Sequence, residues 1–177
     1  MRYPPFRVGH GYDIHRLEAL YPAGRGRPLI LGGVRLDHDV GVVAHSDGDA
    51  LLHAVTDGLL GAIGEPDIGQ LFPDTDPRHE AQDSGVFLKE AVRRVGAAGY
   101  EVVNLDATVV MERPKISPHK AAIRRSVATL LGIDASRVNV KGRTHEKADA
   151  IGQGLAFEVH VVVLLMHRPE PRSTEAT

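Results

Sequence analysis

The spacing of apolar residues changes several times along the chain, and each change predicts an element. Near the start, Arg7-Val-Gly-His-Gly-Tyr-Asp-Ile14 reads as a short strand, and its two glycines imply a backbone pressed close to a neighbour. Leu29-Ile-Leu31 and Val34-Arg-Leu36 flank Gly32-Gly33, a two-residue turn pair, which predicts a hairpin. Past the apolar Val40–Val43, the run from His45 to Gly61 takes on helical periodicity behind an N-cap signal at Ser46 or Asp47. A second helix is expected over Ser84–Val95, stopping at Gly96. A third is expected over Pro118–Leu131, with Pro118 in its first turn and Gly132 closing it. The Val-rich Glu101–Met111, then Val138–Lys141 and Leu155–Leu165, read as strands, the last apolar apart from Glu158 and His160. Leu20–Pro28, rich in Gly, Pro and Arg, is a loop, and the polar Arg168–Thr177 a frayed tail.

Strands and helices thus interleave through the whole length, which predicts an α/β sandwich with a mixed sheet covered on one face by helices. The strands are rich in Val, Ile and Leu, so the other face needs a cover, and a small oligomer is the economical one. The 177 residues suit a single domain over 1–167 followed by the tail. A chain of this size buries roughly 70% of its unfolded surface, enough for a real core.

Composition narrows the chemistry. A net charge of −2 offers no general attraction to nucleic acid or membrane, so an anionic ligand must be held by local groups. Cysteine is absent, which excludes disulfides, thiol nucleophiles and Cys-ligated zinc; a zinc site here would use His and carboxylate. The 10 histidines, against 4 Phe and 4 Tyr, hint at metal or proton chemistry. The first residues lack the pattern of a secretory leader and no apolar run reaches about 18 residues, so a soluble cytoplasmic protein is expected.

His45, Asp49, His53 and Asp57 recur every four residues, one axial polar line on a helix otherwise occupied by Leu51, Leu52, Ala54, Val55, Leu59 and Leu60. A helix this apolar is mostly buried, so its polar line either faces solvent or lines a site. Asp13-Ile-His15 places two ligand types on one face of an extended segment. The pair is weak alone. Joined by His53 it makes three ligands with an open fourth position, the pattern of catalytic zinc. His38, His79, His119, His160 and His167 suit surface or satisfied-core roles better. Asp67–Pro77 is either an Asx-rich loop or a presenter of amides and carboxylates to a sugar or polyphosphate. Arg113–Pro118 offers cations and free amides at a helix start, and Lys141–Lys147 a hydroxyl, an imidazole, a carboxylate and three cations. Each of these has an ordinary charged-loop reading beside the phosphate-binding one.

Gly9-His-Gly-Tyr-Asp-Ile-His15, Ala44-His-Ser-Asp-Gly-Asp49, His53, Asp67-Ile-Gly69, Leu71-Phe-Pro-Asp-Thr-Asp-Pro77 and Arg113-Pro-Lys115 together resemble the 2-C-methyl-D-erythritol 2,4-cyclodiphosphate synthase family of the non-mevalonate isoprenoid pathway. The similarity runs from about Arg7 to Leu165. It implies a mixed four-stranded sheet with helices on one face and a small β-hairpin, the sheets packing around a threefold axis in a homotrimer with active sites between adjacent subunits. It implies a lyase in which the 2-phosphate of 4-diphosphocytidyl-2-C-methyl-D-erythritol 2-phosphate attacks the β-phosphorus, giving a cyclic diphosphate and CMP. Nucleic acid and membrane are not expected partners.

By motif position the resemblance implies one zinc ion per subunit on Asp13, His15 and His53. His45 and Ser46 would touch the substrate phosphates, His45 stabilising the transition state, and Thr144 would do the same from the neighbouring subunit. Glu146 would bind magnesium or manganese bridging the diphosphate, with Arg143 and His145 beside it at the substrate. Asp67, Ile68 and Gly69 would hold the ribose or its surroundings. Phe72, Pro73, Asp74, Thr75 and Asp76 would meet the methylerythritol part. Met111, Glu112, Arg113, Pro114, Lys115, Ile116 and Ser117 would form the cytosine pocket. Asp49 and Asp57 would support His53 or its helix.

The chain departs from the family pattern in two places. Arg143-Thr-His-Glu146 stands where a threonine-rich block is usual, and Ala150, Gln153 and Leu155 stand where relatives carry Phe, Arg and Glu. An isoprenoid diphosphate held in an axial cavity is therefore not expected here in the usual way. Two other readings compete: a zinc-dependent nucleotide-diphosphate hydrolase, and a non-catalytic trimeric module binding nucleotide or isoprenoid phosphate.

Overall fold

The structure, a computed structural model, describes residues 5–73 and 75–168. The tail reading for 169–177, and Asp74, lie outside the described residues. In chain order the elements are β1 (Phe6–Ala19), β2 (Ile30–Leu31), β3 (Val34–Arg35), β4 (Val40–Val43), α1 (Ala50–Ile63), α2 (Ile68–Leu71), α3 (Ser84–Ala97), β5 (Tyr100–Val110), α4 (Lys120–Leu131), β6 (Val138–Arg143) and β7 (Ala156–His167). Short 3-10 turns occupy Pro77–His79 and Ala135–Arg137.

The α/β sandwich forms as expected, with a larger sheet. Five strands in the order β4-β1-β7-β5-β6 make it up, antiparallel except for the parallel β5–β6 pair. The fifth strand is β4, which joins because β1 runs on to Ala19 and pairs Arg16–Ala19 with Val40–Val43. The hairpin β2–β3 turns on Gly32 and Gly33, whose φ values of 61° and 74° are the left-handed pair such a two-residue loop requires.

Phe157, Val159, Val161, Val163 and Leu165 of β7 are fully buried in one core with Leu51, Val55 and Leu59 of α1, Leu88 of α3 and Ile123 of α4. The glycines of β1 explain how closely α1 sits on the sheet. A Cβ on Gly9 would lie 1.8 Å from the Gly58 carbonyl oxygen, and one on Gly11 1.7 Å from that of Ala54. The helix-free face keeps its apolar side chains in the open, with Val8 67%, Ile14 48% and Val162 46% exposed.

Element ends differ from expectation where a competing cap wins. Helix α1 starts at Ala50, capped by Asp49, because Gly48 takes a φ of 75° that cannot continue a helix. Helix α3 passes through Gly96 to Ala97, and the left-handed turn falls on Gly99. Pro118 precedes α4 in a turn, and Gly132 closes that helix with a φ of 69°, as expected.

Candidate active site

Asp13 and His15 point to the same side of β1 because the strand alternates, and α1 packed on that side brings His53 to meet them. One ligand atom from each of the three lies within 4.8 Å of the others. His53 Nδ1 is 3.0 Å from Asp13 Oδ2. His15 Nδ1 lies 3.1 Å from the same oxygen but is not aligned to share a hydrogen with it, so this buried nitrogen has no hydrogen-bond partner. A buried imidazole nitrogen without a hydrogen-bond partner is costly alone, and two imidazoles converging on one carboxylate are a donor set matched to a cation, so the three residues fit zinc. Burial pushes the Asp13 carboxyl up, but the two imidazoles outweigh it and hold it below the usual carboxylate range. Burial works against charge on His53 as well, and Asp13 with the neighbouring Asp49 and Asp47 carries it above the usual imidazole range.

The loop between β4 and α1 sits over these ligands. It is strapped to the segment before α3: Ala81 N–H donates to the His45 carbonyl at 2.8 Å and Asp47 N–H to that of Gln82 at 3.1 Å. His45 and Ser46 thereby line a cleft of about 340 Å³ with His15, His53, Ile68, Gly69 and Phe72. His45 Nε2 is buried there with no partner, an arrangement ready for an anionic oxygen.

A second hollow of about 260 Å³ is lined by Met111, Glu112, Lys115, Ile116 and Ser117 together with Arg143, Thr144 and Glu146. Thr144 Oγ1 donates to Glu146 Oε1 at 2.8 Å, so the hydroxyl and the carboxylate present as a pair. No residue is common to the lining of the two hollows.

Among the described residues, the structure holds the other expected site residues outside the linings of these two hollows. His145 turns away from the second hollow, with Nδ1 2.8 Å from Asp149 and Nε2 3.7 Å from Glu158. Arg113 is exposed and lines a neighbouring groove with Lys147 and Gln153, and Pro114 follows a cis peptide bond. Asp67 caps α2 by accepting the Gln70 N–H at 2.8 Å, and Pro73 and Thr75 are exposed. Asp76 pairs with Arg78 at 2.6 Å, which holds its carboxyl well below the usual range. The four-residue polar line is not a helix stripe. Asp49 caps α1 and Asp57 accepts the Ile68 N–H at 2.8 Å, tying α2 to α1.

Two residues that line the cleft, and one buried behind it, carry no functional signal in the sequence. His79, assigned above to a surface or core role, lines the cleft, as does Phe87, whose ring centroid lies 4.6 Å from that of Phe72. Ser84 is fully buried, and its Oγ lies 2.8 Å from His53 Nε2. All three come from the segment 79–87, distant from the other ligands along the chain. An N-cap pattern at Asp83-Ser84 is the one local cue, and it points only to a helix start.

The sequence profile of the YgbB family matches residues 6–166. A chloroplastic 2-C-methyl-D-erythritol 2,4-cyclodiphosphate synthase of Catharanthus roseus is 56% identical over 163 residues, covering 92% of this chain and 66% of its own length. The synthase of Azoarcus sp. (strain BH72) is 52% identical over 161 residues, covering 91% of this chain and 96% of its own. The chain therefore spans just under two thirds of the plant relative and nearly all of the bacterial one. IspF of Plasmodium falciparum, solved as a CDP complex, matches with a TM-score of 0.82 at 38% identity, covering 95% of this chain and 100% of that one. The hydrolase and binding-module readings find no support among these relatives. With the family profile spanning residues 6–166, curated synthases more than half identical over nine tenths of the chain and a matching fold, the chain belongs to the YgbB family, the family of the 2-C-methyl-D-erythritol 2,4-cyclodiphosphate synthases.

Proposed function

We propose that the family's cyclisation runs in this chain at a site closed between subunits of a homotrimer, with zinc on Asp13, His15 and His53 and magnesium or manganese at Glu146. The observation that carries this is the convergence of the three ligands, with His15 Nδ1 left partnerless, on the wall of the cleft that holds His45. The substrate is 4-diphosphocytidyl-2-C-methyl-D-erythritol 2-phosphate. An oxygen of its 2-phosphate bonds to the β-phosphorus as the bond from that phosphorus to the bridging oxygen breaks, and CMP leaves with the oxygen.

Zinc held by Asp13, His15 and His53, and magnesium or manganese held by Glu146, would supply positive charge against the diphosphate oxygens and polarise the phosphorus. The chain itself supplies position. Ser46 and the buried edge of His45 hold phosphate oxygens where charge builds, and Phe72 excludes water around the methylerythritol part, with Ile68 and Gly69 lining the same cleft. Holding both phosphates of one molecule in line removes most of the entropy cost of ring closure. Met111 and Ile116, buried beside Lys115 and Ser117, offer the cytosine an apolar floor with a polar edge. The CDP in the Plasmodium falciparum structure supports a cytidine nucleotide as ligand. Two half-sites with no shared lining, and a helix-free sheet face rich in exposed apolar groups, support the homotrimer.

Metal analysis of the purified protein, combined with product analysis on the diphosphocytidyl substrate, tests the proposal. Zinc near one per subunit, CMP release and a cyclic diphosphate are expected, and His53→Ala should abolish turnover. CMP released with an uncyclised bisphosphate would establish a hydrolase instead.

A further inference from the structure

The two ring nitrogens of His53 have different neighbours. Nδ1 faces Asp13 Oδ2 at 3.0 Å, while Nε2 faces Ser84 Oγ at 2.8 Å and Ser46 Oγ at 3.2 Å. Ser84 opens α3, is wholly buried, and is held twice by Asp47. Its N–H donates to Asp47 Oδ2 at 3.1 Å and its hydroxyl makes a very short hydrogen bond to Asp47 Oδ1. A carboxylate has no hydrogen to give, so the Ser84 hydroxyl spends its own on Asp47. Toward His53 the Ser84 oxygen can then only accept. Ser46 Oγ, which already accepts the Gly48 N–H at 3.2 Å, is the more distant neighbour.

We propose that Ser84 and Asp47 are positioning residues that keep the hydrogen of His53 on Nε2 and so aim the Nδ1 lone pair at the cation shared with Asp13 and His15. The inference rests on the zinc reading above and adds what orients one of the ligands. Asp49 and Asp57, the acids on the same line of sequence as His53, spend their carboxylates on backbone N–H groups instead. The arrangement also leaves the Ser46 hydroxyl free to donate into the cleft, because His53 finds its nearer acceptor in Ser84.

Zinc binding to metal-free protein, followed by competition with a chromophoric chelator, tests this without any assay of turnover. Ser84→Ala should weaken zinc binding about 10- to 100-fold, and Ser84→Thr, which keeps the hydroxyl, should restore it. Nitrogen-detected NMR of the zinc-loaded wild-type protein should place the His53 hydrogen on Nε2 and the metal-shifted resonance on Nδ1, a reading that does not depend on how well a variant folds. Unchanged zinc affinity in folded Ser84→Ala, or a hydrogen found on Nδ1 of the loaded protein, would overturn the proposal while leaving the zinc site standing. A wild-type chain that takes up no zinc would overturn both.

Discussion

Asp49 and Gly33, 16 positions apart, are joined by a 2.6 Å hydrogen bond in which the Gly33 N–H donates to Asp49 Oδ2. The other oxygen of the same buried carboxylate accepts the N–H groups of Gly32 at 2.8 Å and Leu52 at 3.1 Å. One side chain thus caps α1 and pins the β2–β3 hairpin to it. Asp49→Ala would strand three backbone donors, and at about 1–3 kcal/mol for a buried unsatisfied group the loss should be roughly 3 kcal/mol or more. Asp49→Asn, which keeps one acceptor oxygen, should cost less. Urea unfolding of the metal-free proteins measures both, and equal costs would refute the capping role.

Close packing of β1 on α1 predicts an equally specific intolerance. A methyl on Gly11 would sit 1.7 Å from the Ala54 carbonyl oxygen, and since both sides of that contact are backbone, the helix and the sheet must part. Gly11→Ala should cost about 3 kcal/mol or more. Gly61, on the exposed side of the same helix, has open space where a methyl would go, with nothing within 4 Å, so Gly61→Ala should stabilise by about 0.5–1 kcal/mol. Melting temperatures moving in opposite directions for the two substitutions would bear this out; a harmless Gly11→Ala would refute it.

The same contact illustrates what is legible in the chain. Two glycines in a strand signal a near neighbour, and Gly32-Gly33 and Gly132 signal a hairpin and a helix end, because in each case the chemistry that makes the feature is local. The start of α1 is ambiguous in the sequence because Ser46, Asp47 and Asp49 all carry cap chemistry, and only the left-handed Gly48 decides among them. The same ambiguity places His45 and Asp49 on a helix stripe with His53 that the fold does not form. The triad is readable, since Asp13 and His15 alternate on a strand and His53 sits on a helix too apolar to leave its polar residues without a purpose. Ser84, His79 and Phe87 are not, because nothing local marks a helix start as the partner of an imidazole 31 positions away.

Acid should expose the contribution of one surface cluster. Arg93 first, and Arg94 beside it, hold the Glu90 carboxyl down at about 2 against the effect of burial, whereas in the unfolded chain it returns to about 4.5. A carboxyl depressed in the folded state stabilises above its unfolded value and loses that contribution as pH falls from about 4.5 to about 2. The arginines are partly exposed, so solvent screening keeps the gain to about 1 kcal/mol or less. Glu90→Gln should therefore be slightly less stable than wild type at pH 7 and indistinguishable from it near pH 2. Urea midpoints across that range measure the difference, and a gap that widens on acidification would contradict the sign.

Val8 tests the proposed assembly. It lies on the helix-free face of β1, 67% exposed in the single chain, and Ile14 and Val162 on the same face are exposed to a lesser degree. A charge placed on an exposed strand residue of a lone chain changes stability by no more than about 0.5 kcal/mol. Buried against a second copy without a partner, the same charge costs several kcal/mol. Val8→Glu should therefore lower the mass seen by light scattering from that of a trimer toward that of one chain while circular dichroism keeps its folded signature. CMP release should fall with it, because the cleft beside His45 and the hollow beside Thr144 would no longer meet across subunits. A Val8→Glu protein that keeps both a trimer's mass and full turnover would place the subunit interface on another face.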